Sequence, residues 1–408
     1  MKNRAIGFQS EKLLAPAEAL AAFFARASVT PPKVERVALD DAAGRVLAVA
    51  IDADDDYPNA PRSAMDGFAV ASASTPGTLS IAGDIAMGQA WTAALKYGDT
   101  ASIPTGGVVP DGADAVVPIE DVRVDGRSVV IETAVTAGEN VSPRAGDMRR
   151  GERILEPGQR LAGPQIGVLA TVGAVEVPVY RRPVIAMISS GDELVPPSAR
   201  PRPGEVRDSN RYAIAASLRM MGATVRHYPT VSDEPGALEA ALAAALPDCD
   251  AIVLTGGSSV GERDRTPEAV ASLGDPGVIV HGLKVKPGKP TVLAAAGGKP
   301  VIGLPGNPTS ALMILEAVAA PVVAALTGAE LPRAFLTARL GTNARGRPGW
   351  TWYVPVALQN DGGTPVAHPL PLRSSSVSLP ARAGGYIVVE GTGAELPAGT
   401  LVTVFRFL

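Results

Sequence analysis

Between residues 181 and 328, short apolar runs alternate with stretches of helical spacing. VIAMIS, ATVRHYPTV, AIVLT and VIGLP are each followed by a helical pattern, opening near Asp208, Asp233, Thr266 and Pro308. Continuous apolar runs of strand length suit strands buried on both faces. Their alternation with helices predicts a doubly wound, mostly parallel sheet with helices on both sides. Right-handed crossovers then gather the loops that follow the strands at the carboxyl edge of the sheet, where such folds bind ligands.

The flanks have a different rhythm. Residues 10 to 28 read as an amphipathic helix, and VERVALDDAAGRVLAVAIDA as strand, short helix and strand. From 57 to 145, LSIAGDI, TASIP, ADAVVPIEDVRV and SVVIET are short strands cut by Gly, Pro and Asp turns. Residues 146 to 180 return to mixed structure ending in AVEVPVY. The β-rich piece 57–145 is thus expected as an insertion in a mixed α/β unit made of 1–56 and 146–180, whose opening helix is free to pack on the sheet unit 181–328. Beyond 329, FLTARL, TWYVPVAL, PVAHPL, GYIVVEG and LVTVFRF contain no long helix and predict a small β-barrel or sandwich through 408. The expected class is α/β multidomain, in keeping with 408 residues, more than one core usually organises.

Composition narrows the partners. The 44 glycines and 37 prolines are scattered, which means many turns and no low-complexity tail. A formal net charge of −4 offers no general attraction for nucleic acid or anionic membranes, so an anion site must be built locally. Cys249 is the only cysteine, which excludes an internal disulfide or a Cys-rich zinc site and suits a reducing cytosol. His227, His281 and His368 are too dispersed to suggest a metal cluster. The N-terminal stretch lacks a signal-like apolar core, and MILEAVAAPVVAALTG is short and Pro-interrupted for a membrane span. The expectation is a cytoplasmic protein with neither nucleic-acid nor membrane partner.

Three loops carry chemistry. After AIVLT comes Gly256-Gly257-Ser258-Ser259-Val260-Gly261, where glycines allow close backbone approach and hydroxyls and amides can hold phosphate oxygens. After VIGLP comes Pro305-Gly306-Asn307-Pro308, opening a helix whose free amides suit an anion, although a rigid strand–helix corner explains the prolines equally well. Lys286-Pro287-Gly288-Lys289-Pro290 adds two cations on a constrained turn. Three such loops on one sheet edge favour a phosphate-rich small molecule. Acidic residues belong to the same edge: Asp192 and Glu193, Asp208, Asp233 and Asp264. Two readings stand for Asp208 and Asp233, helix N-caps or, beside phosphate loops, partners of a Mg²⁺ that offsets phosphate charge.

Seven segments, SAMDGFAV, PTGGVVPDGADAVV, SSGDELV, DSNR, GGSSVG, KPGKP and GLPGNP, stand in the order of the MoeA family, which includes the C-terminal region of gephyrin, and the chain resembles that family over nearly its whole length. The resemblance implies a molybdopterin molybdotransferase that inserts molybdate into adenylylated molybdopterin and releases AMP. It implies four domains per subunit, an elongated homodimer, and active sites shared between the sheet unit of one subunit and the β-rich segment of the other. A molybdopterin adenylyltransferase is then the upstream donor. By position, Asp66, Thr105, Asp147, Glu193, Asp233, Asp264, Lys286, Pro305, Pro308 and Ser374 match the family's functional sites. Glu193, Asp233 and Asp264 are assigned to Mg²⁺ and the phosphoanhydride, Lys286 and Lys289 to anionic oxygens, and Arg373 and Ser374, with the Pro305-to-Pro308 turn, to molybdate. The chain departs from the family pattern at Arg144-Ala145-Gly146-Asp147, which lacks an acid beside Asp147, and at Gly282, where some members carry a lysine, so that one anchoring cation is either missing or replaced by Lys284. RDxTPEA at Arg263 to Ala269 resembles the related adenylyltransferases, which makes that activity the alternative; a gephyrin-like scaffold is a second.

Overall fold

The computed structural model describes residues 13–256, 266–330, 333–360, 362–391 and 395–407. The helix Pro16–Arg26, shorter than the periodicity suggests, buries Ala19 and Phe23 in the core of the sheet unit far along the chain. The strand Val34–Ala38 pairs antiparallel with Glu176–Tyr180, and Ile51–Asp52 pairs with Arg153–Leu155. Leu47, Leu155, Leu161, Leu169 and Val179 fill the core between these paired segments.

The intervening chain forms a six-stranded sheet in the order Ala115–Pro118, Gly67–Val70, Asp99–Ile103, Gly77–Asp84, Ser128–Ile131, Val122–Asp125. Strand alternation explains its two cores: Phe68 and Val70 pack on one face with Leu79 and Val129, whereas Ala69 packs on the other with Ile103 and Val116. After it, the turn at Arg144 to Asp147 bonds back to Tyr57 and Pro58, and Ala145 sits there at φ +56°. A left-handed alanine costs roughly 1–2 kcal/mol, partly offset on replacement by the extra freedom glycine has when unfolded. Ala145→Gly is therefore expected to stabilise the protein by about 0.5–1 kcal/mol, seen as a raised denaturant midpoint with unchanged slope; an unchanged or lowered midpoint would refute the strain.

The central sheet has the order Thr224–His227, Val184–Ser189, Ala251–Thr255, Lys299–Leu304, Val292–Ala296, Pro276–His281. The first three pairings are parallel and the last two antiparallel, so only Val292–Ala296 runs against the rest. The mostly parallel sheet expected from the apolar runs is thus present, with two further strands that the runs did not reveal. Helices cover both faces, and the two buried clusters divide along the strands: Ile185, Met187 and Val253 face one layer, Ala186, Ile188 and Ile252 the other.

From Pro308 to Thr327 the chain is a continuous helix, with a π turn over Leu315–Ala319 just before Pro321. The wider turn spares Pro321 the clash and the missing hydrogen bond it would impose on a regular helix. By length and composition this helix is enough to cross a membrane, but 72 % of its apolar window is buried within the protein. It is the spine of the core.

The C-terminal strands Phe335–Leu340, Thr351–Gln359, Val366–Pro369, Gly385–Val389 and Leu401–Phe405 close into a five-stranded barrel. Val354, Val356, Ile387 and Val404 fill its interior, while Tyr353 and Tyr386 join the core built around the long helix. The barrel is also stitched to the sheet unit by the short strand Val285–Lys286, which pairs in parallel with Thr351 and Trp352.

Candidate active site

Because Val184–Ser189, Ala251–Thr255 and Lys299–Leu304 run in parallel, Ser190, Gly256 and the Pro305–Pro308 turn leave the sheet at one edge. The reversed strand Val292–Ala296 starts from that edge, which places Lys286 to Pro290 there too. Gly256 adopts φ +90°, and a Cβ on it would lie 2.0 Å from the carbonyl oxygen of Ser190. Only glycine lets these two loops meet. Gly288, at φ +105°, is similarly confined, since a Cβ would come within 2.2 Å of Ile314, so the lysine-bearing turn is seated directly on the long helix.

Two adjoining cavities open at this edge. The larger, about 720 Å³, is bordered by Ser190, Glu193, Arg207, Asp208, Asn210, Thr255, Gly256 and the Pro305-to-Pro308 turn. The second, about 440 Å³, shares Pro290, Asn307 and Ser310 with the first and adds Lys286, Lys289, Arg347, Trp350, Trp352 and Ser374. Their electrostatic characters differ: Glu193, Asp208 and Arg207 give the first a mixed lining, whereas the described lining of the second carries three cations and no carboxylate. The Lys286 ammonium lies 4.2 Å from the centroid of the Trp352 ring, and the Arg347 guanidinium 4.9 Å from that of Trp350. Aromatic faces hold these cations in place without neutralising them. The segment bearing Ser374 is tied to the start of the long helix, its carbonyl accepting from the Thr309 amide at 3.1 Å while the Thr309 hydroxyl donates to the Ser376 carbonyl at 2.6 Å.

The acidic residues part ways. Asp208 caps the helix Ser209–Met220, accepting from the Arg211 amide at 3.1 Å and pairing with the Arg211 guanidinium at 3.0 Å. Asp233 caps nothing: the next helix, Ala237–Ala245, starts four residues on, with left-handed Gly236 as its N-cap. The amide of Asp233 instead donates to Asp192 at 3.1 Å. Glu193 borders the larger cavity, but Asp233 does not, and the described residues contain no group of three or more metal-capable side chains. Gly257, Ser258, Ser259, Gly261 and Asp264 lie outside the described residues. Arg373 borders neither cavity; its carbonyl accepts the Ser376 amide in a turn. Lys284 also borders neither cavity; the third cation of the smaller one is Arg347.

Asp66 and Thr105, 39 residues apart, are brought together because Gly67 pairs with Ile103 across adjacent strands. The Asp66 carboxylate accepts from the Thr105 amide at 2.6 Å and from its hydroxyl at 2.8 Å. These bonds, the amide's first, hold the carboxyl below the usual carboxylate range. A lowered folded value means that this pair's stabilisation is present above the unfolded value and is lost as pH falls through the folded one. Thr105→Val removes the hydroxyl and keeps the amide. It should raise the Asp66 titration midpoint part of the way toward 3.8, as followed by NMR of the carboxyl carbon; no change would deny the hydroxyl a role. Neither Asp66, Thr105 nor Asp147 borders the two cavities of its own chain. Asp147 is exposed, its amide donating to Tyr57, and nearby Arg144 is paired with Asp56 at 2.7 Å.

Residues 14–173 match the family described as the MoeA N-terminal region (domains I and II), 186–325 a probable molybdopterin binding domain, and 337–407 the MoeA C-terminal region (domain IV). A molybdopterin molybdenumtransferase of Bacillus subtilis is 32 % identical over 91 % of this chain and 89 % of its own. This chain belongs to the MoeA family. Its counterpart in a Nostoc species, also named molybdopterin molybdenumtransferase, is 35 % identical over 72 % of this chain and 70 % of its own. The crystal structure of a molybdopterin biosynthesis moeA protein from Pyrococcus horikosii superposes with a TM-score of 0.80 at 30 % identity, covering 97 % of this chain and 100 % of that one.

Within this MoeA chain, several residues at the cavities were not singled out by sequence. Trp352 sits in a segment whose alternation signals only barrel strand, Arg347 and Trp350 in the turn before it, and Ser310 in a segment that signals only helix. Asn210 and Thr255 were visible as part of DSNR and AIVLT, but nothing in the pattern told that they touch the Pro305–Gly306 turn.

Proposed function

We propose that this chain is a molybdopterin molybdenumtransferase, taking adenylylated molybdopterin and molybdate and releasing AMP as the metal joins the dithiolene. The observation that carries this reading is the pairing, at one sheet edge, of a cavity of mixed charge with a cation-lined one. The cation-rich cavity suits a small oxyanion, and we place molybdate there, against Lys286, Lys289, Arg347 and Ser374. The larger cavity, with backbone amides and carboxylates, suits the phosphoanhydride. There Glu193 would hold Mg²⁺, and the family resemblance adds Asp233, which borders neither cavity, and Asp264, which lies outside the described residues. So sparse a protein set fits an ion that keeps waters and takes further oxygens from substrate phosphates. When bound, the ion would offset the phosphate charge that the carboxylates otherwise repel.

Asp66, Thr105 and Asp147 enter through a second copy of the chain, so the active unit is a homodimer with shared sites. The protein works in the cytoplasm, receives its substrate from a molybdopterin adenylyltransferase, and engages no nucleic acid or membrane. The test is direct: purified protein given adenylylated molybdopterin should release AMP on addition of molybdate and stop when divalent cations are chelated. Release that ignores molybdate, or formation of the adenylylated pterin from ATP instead, would overturn the assignment. Asp264→Asn keeps size and capping ability but removes charge, so full Mg²⁺-dependent turnover in that variant would reduce Asp264 to a helix cap.

A further inference from the structure

Every carbonyl and amide of the Pro305–Pro308 turn needs a partner, in the protein or in a ligand. The Pro305 carbonyl accepts from the Thr255 hydroxyl at 3.2 Å, and the Gly306 carbonyl from the side-chain nitrogen of Asn210 at 2.7 Å. That same nitrogen donates to the Thr255 hydroxyl oxygen at 3.1 Å. Thr255 thus receives from Asn210 and gives to Pro305, which fixes its hydroxyl hydrogen. The Asn210 amide has one workable orientation, because turned over it would set its oxygen against the Gly306 carbonyl. The relay starts on the helix Ser209–Met220, crosses the buried end of the strand Ala251–Thr255 and ends on the turn.

In a trans peptide the carbonyl and the amide hydrogen point in opposite directions. With the carbonyls of residues 305 and 306 drawn toward Thr255 and Asn210, the N–H groups of Gly306 and Asn307 are turned the other way. Among the described residues neither N–H meets a protein acceptor, and both residues border the larger cavity. Pro308 follows with no N–H of its own.

We infer that Asn210 is a positioning residue: directly through Gly306, and by way of Thr255 through Pro305, it sets the turn so that the Gly306 and Asn307 amides form a two-donor subsite for a phosphate oxygen. That this oxygen belongs to the nucleotide's phosphate rests on the function proposed above; the relay itself does not.

The test compares AMP binding by calorimetry with turnover in four variants of the full chain. Asn210→Leu is neutral and of similar size but cannot donate. It should weaken AMP about tenfold, matching one lost charge-assisted hydrogen bond, and raise KM more than it lowers kcat. Thr255→Val should weaken AMP several-fold, and Thr255→Ser, which keeps the hydroxyl, should regain most of that loss. Because both side chains act on one turn, the Asn210→Leu and Thr255→Val losses should combine to less than their product. A folded Asn210→Leu protein that binds AMP within twofold of the unsubstituted chain, or losses that simply multiply, would overturn the inference. If Asn210→Leu fails to fold, the Thr255 pair decides alone, and equal affinities in Val and Ser would overturn it. If the unsubstituted chain does not bind AMP, the function proposed above fails, and the same comparison made with inorganic phosphate judges Asn210 by itself.

Discussion

Lys286→Ala is expected to lower molybdate-dependent AMP release about a hundredfold at low molybdate, the loss typical of removing one fixed donor from an oxyanion site. Lys286 is held on both sides of its backbone: the preceding Val285 and Lys286 itself pair with the barrel strand at Thr351 and Trp352, and the following turn is seated on Ile314. Its ammonium lies 4.2 Å from the Trp352 ring centroid in a cavity with no carboxylate among the described lining. With molybdate placed in this cavity as proposed, such a group acts on the oxyanion and not on the nucleotide next door. The loss should therefore appear as a raised apparent KM for molybdate, partly recovered by excess molybdate, while AMP affinity stays near that of the unsubstituted chain. Lys286→Arg, which keeps the charge and the aromatic contact but spreads the donors, should lie between. An unchanged molybdate dependence in Lys286→Ala would remove the oxyanion from this cavity.

Why some of this was legible in the sequence and some was not follows from particular elements. VIAMIS and AIVLT are buried along almost their whole length and end at the site, so a continuous apolar run was a sufficient sign of each strand and of the loop behind it. Val292–Ala296 is as deeply buried, but three of its five residues are alanine, which marks no strand by propensity. Pro276–His281 opens on a proline and pairs only at the sheet's edge, where burial leaves a weak pattern. At Asp233 the capping residue type was right and the geometry wrong: Pro235 and left-handed Gly236 extend the turn, so the helix opens beyond reach of that side chain. Loops that leave neighbouring parallel strands announce their shared edge, whereas Arg347 reaches the site only because a barrel docks there. The tyrosines that dock it, Tyr353 and Tyr386, look from sequence like ordinary barrel core.

Asp66→Ala should likewise abolish turnover while leaving the fold intact, since its carboxylate is exposed and bonded only to Thr105 among the described residues. The pair lies beside the inserted sheet and borders neither cavity of its own chain, so under the shared-site proposal its contribution reaches a site on another copy. Its surroundings suit a protein surface: Met65, 41 % exposed, precedes Asp66, and Ile119, 53 % exposed, donates its amide to the Asp66 carbonyl. Sharing of this kind makes an arithmetic prediction. In a heterodimer of Asp66→Ala and Lys286→Ala chains, one site receives the intact Asp66 of one chain and the intact Lys286 of the other, and the second site receives neither. A two-site dimer should then recover half its activity, and an equal mixture that exchanges at random, half of it heterodimer, about one quarter of the unsubstituted rate. Sites contained within single chains predict no recovery at all, because every site in the mixture then lacks one residue or the other. Heterodimers isolated by two affinity tags and found no more active than their parents would show that Asp66 does not serve a neighbouring chain.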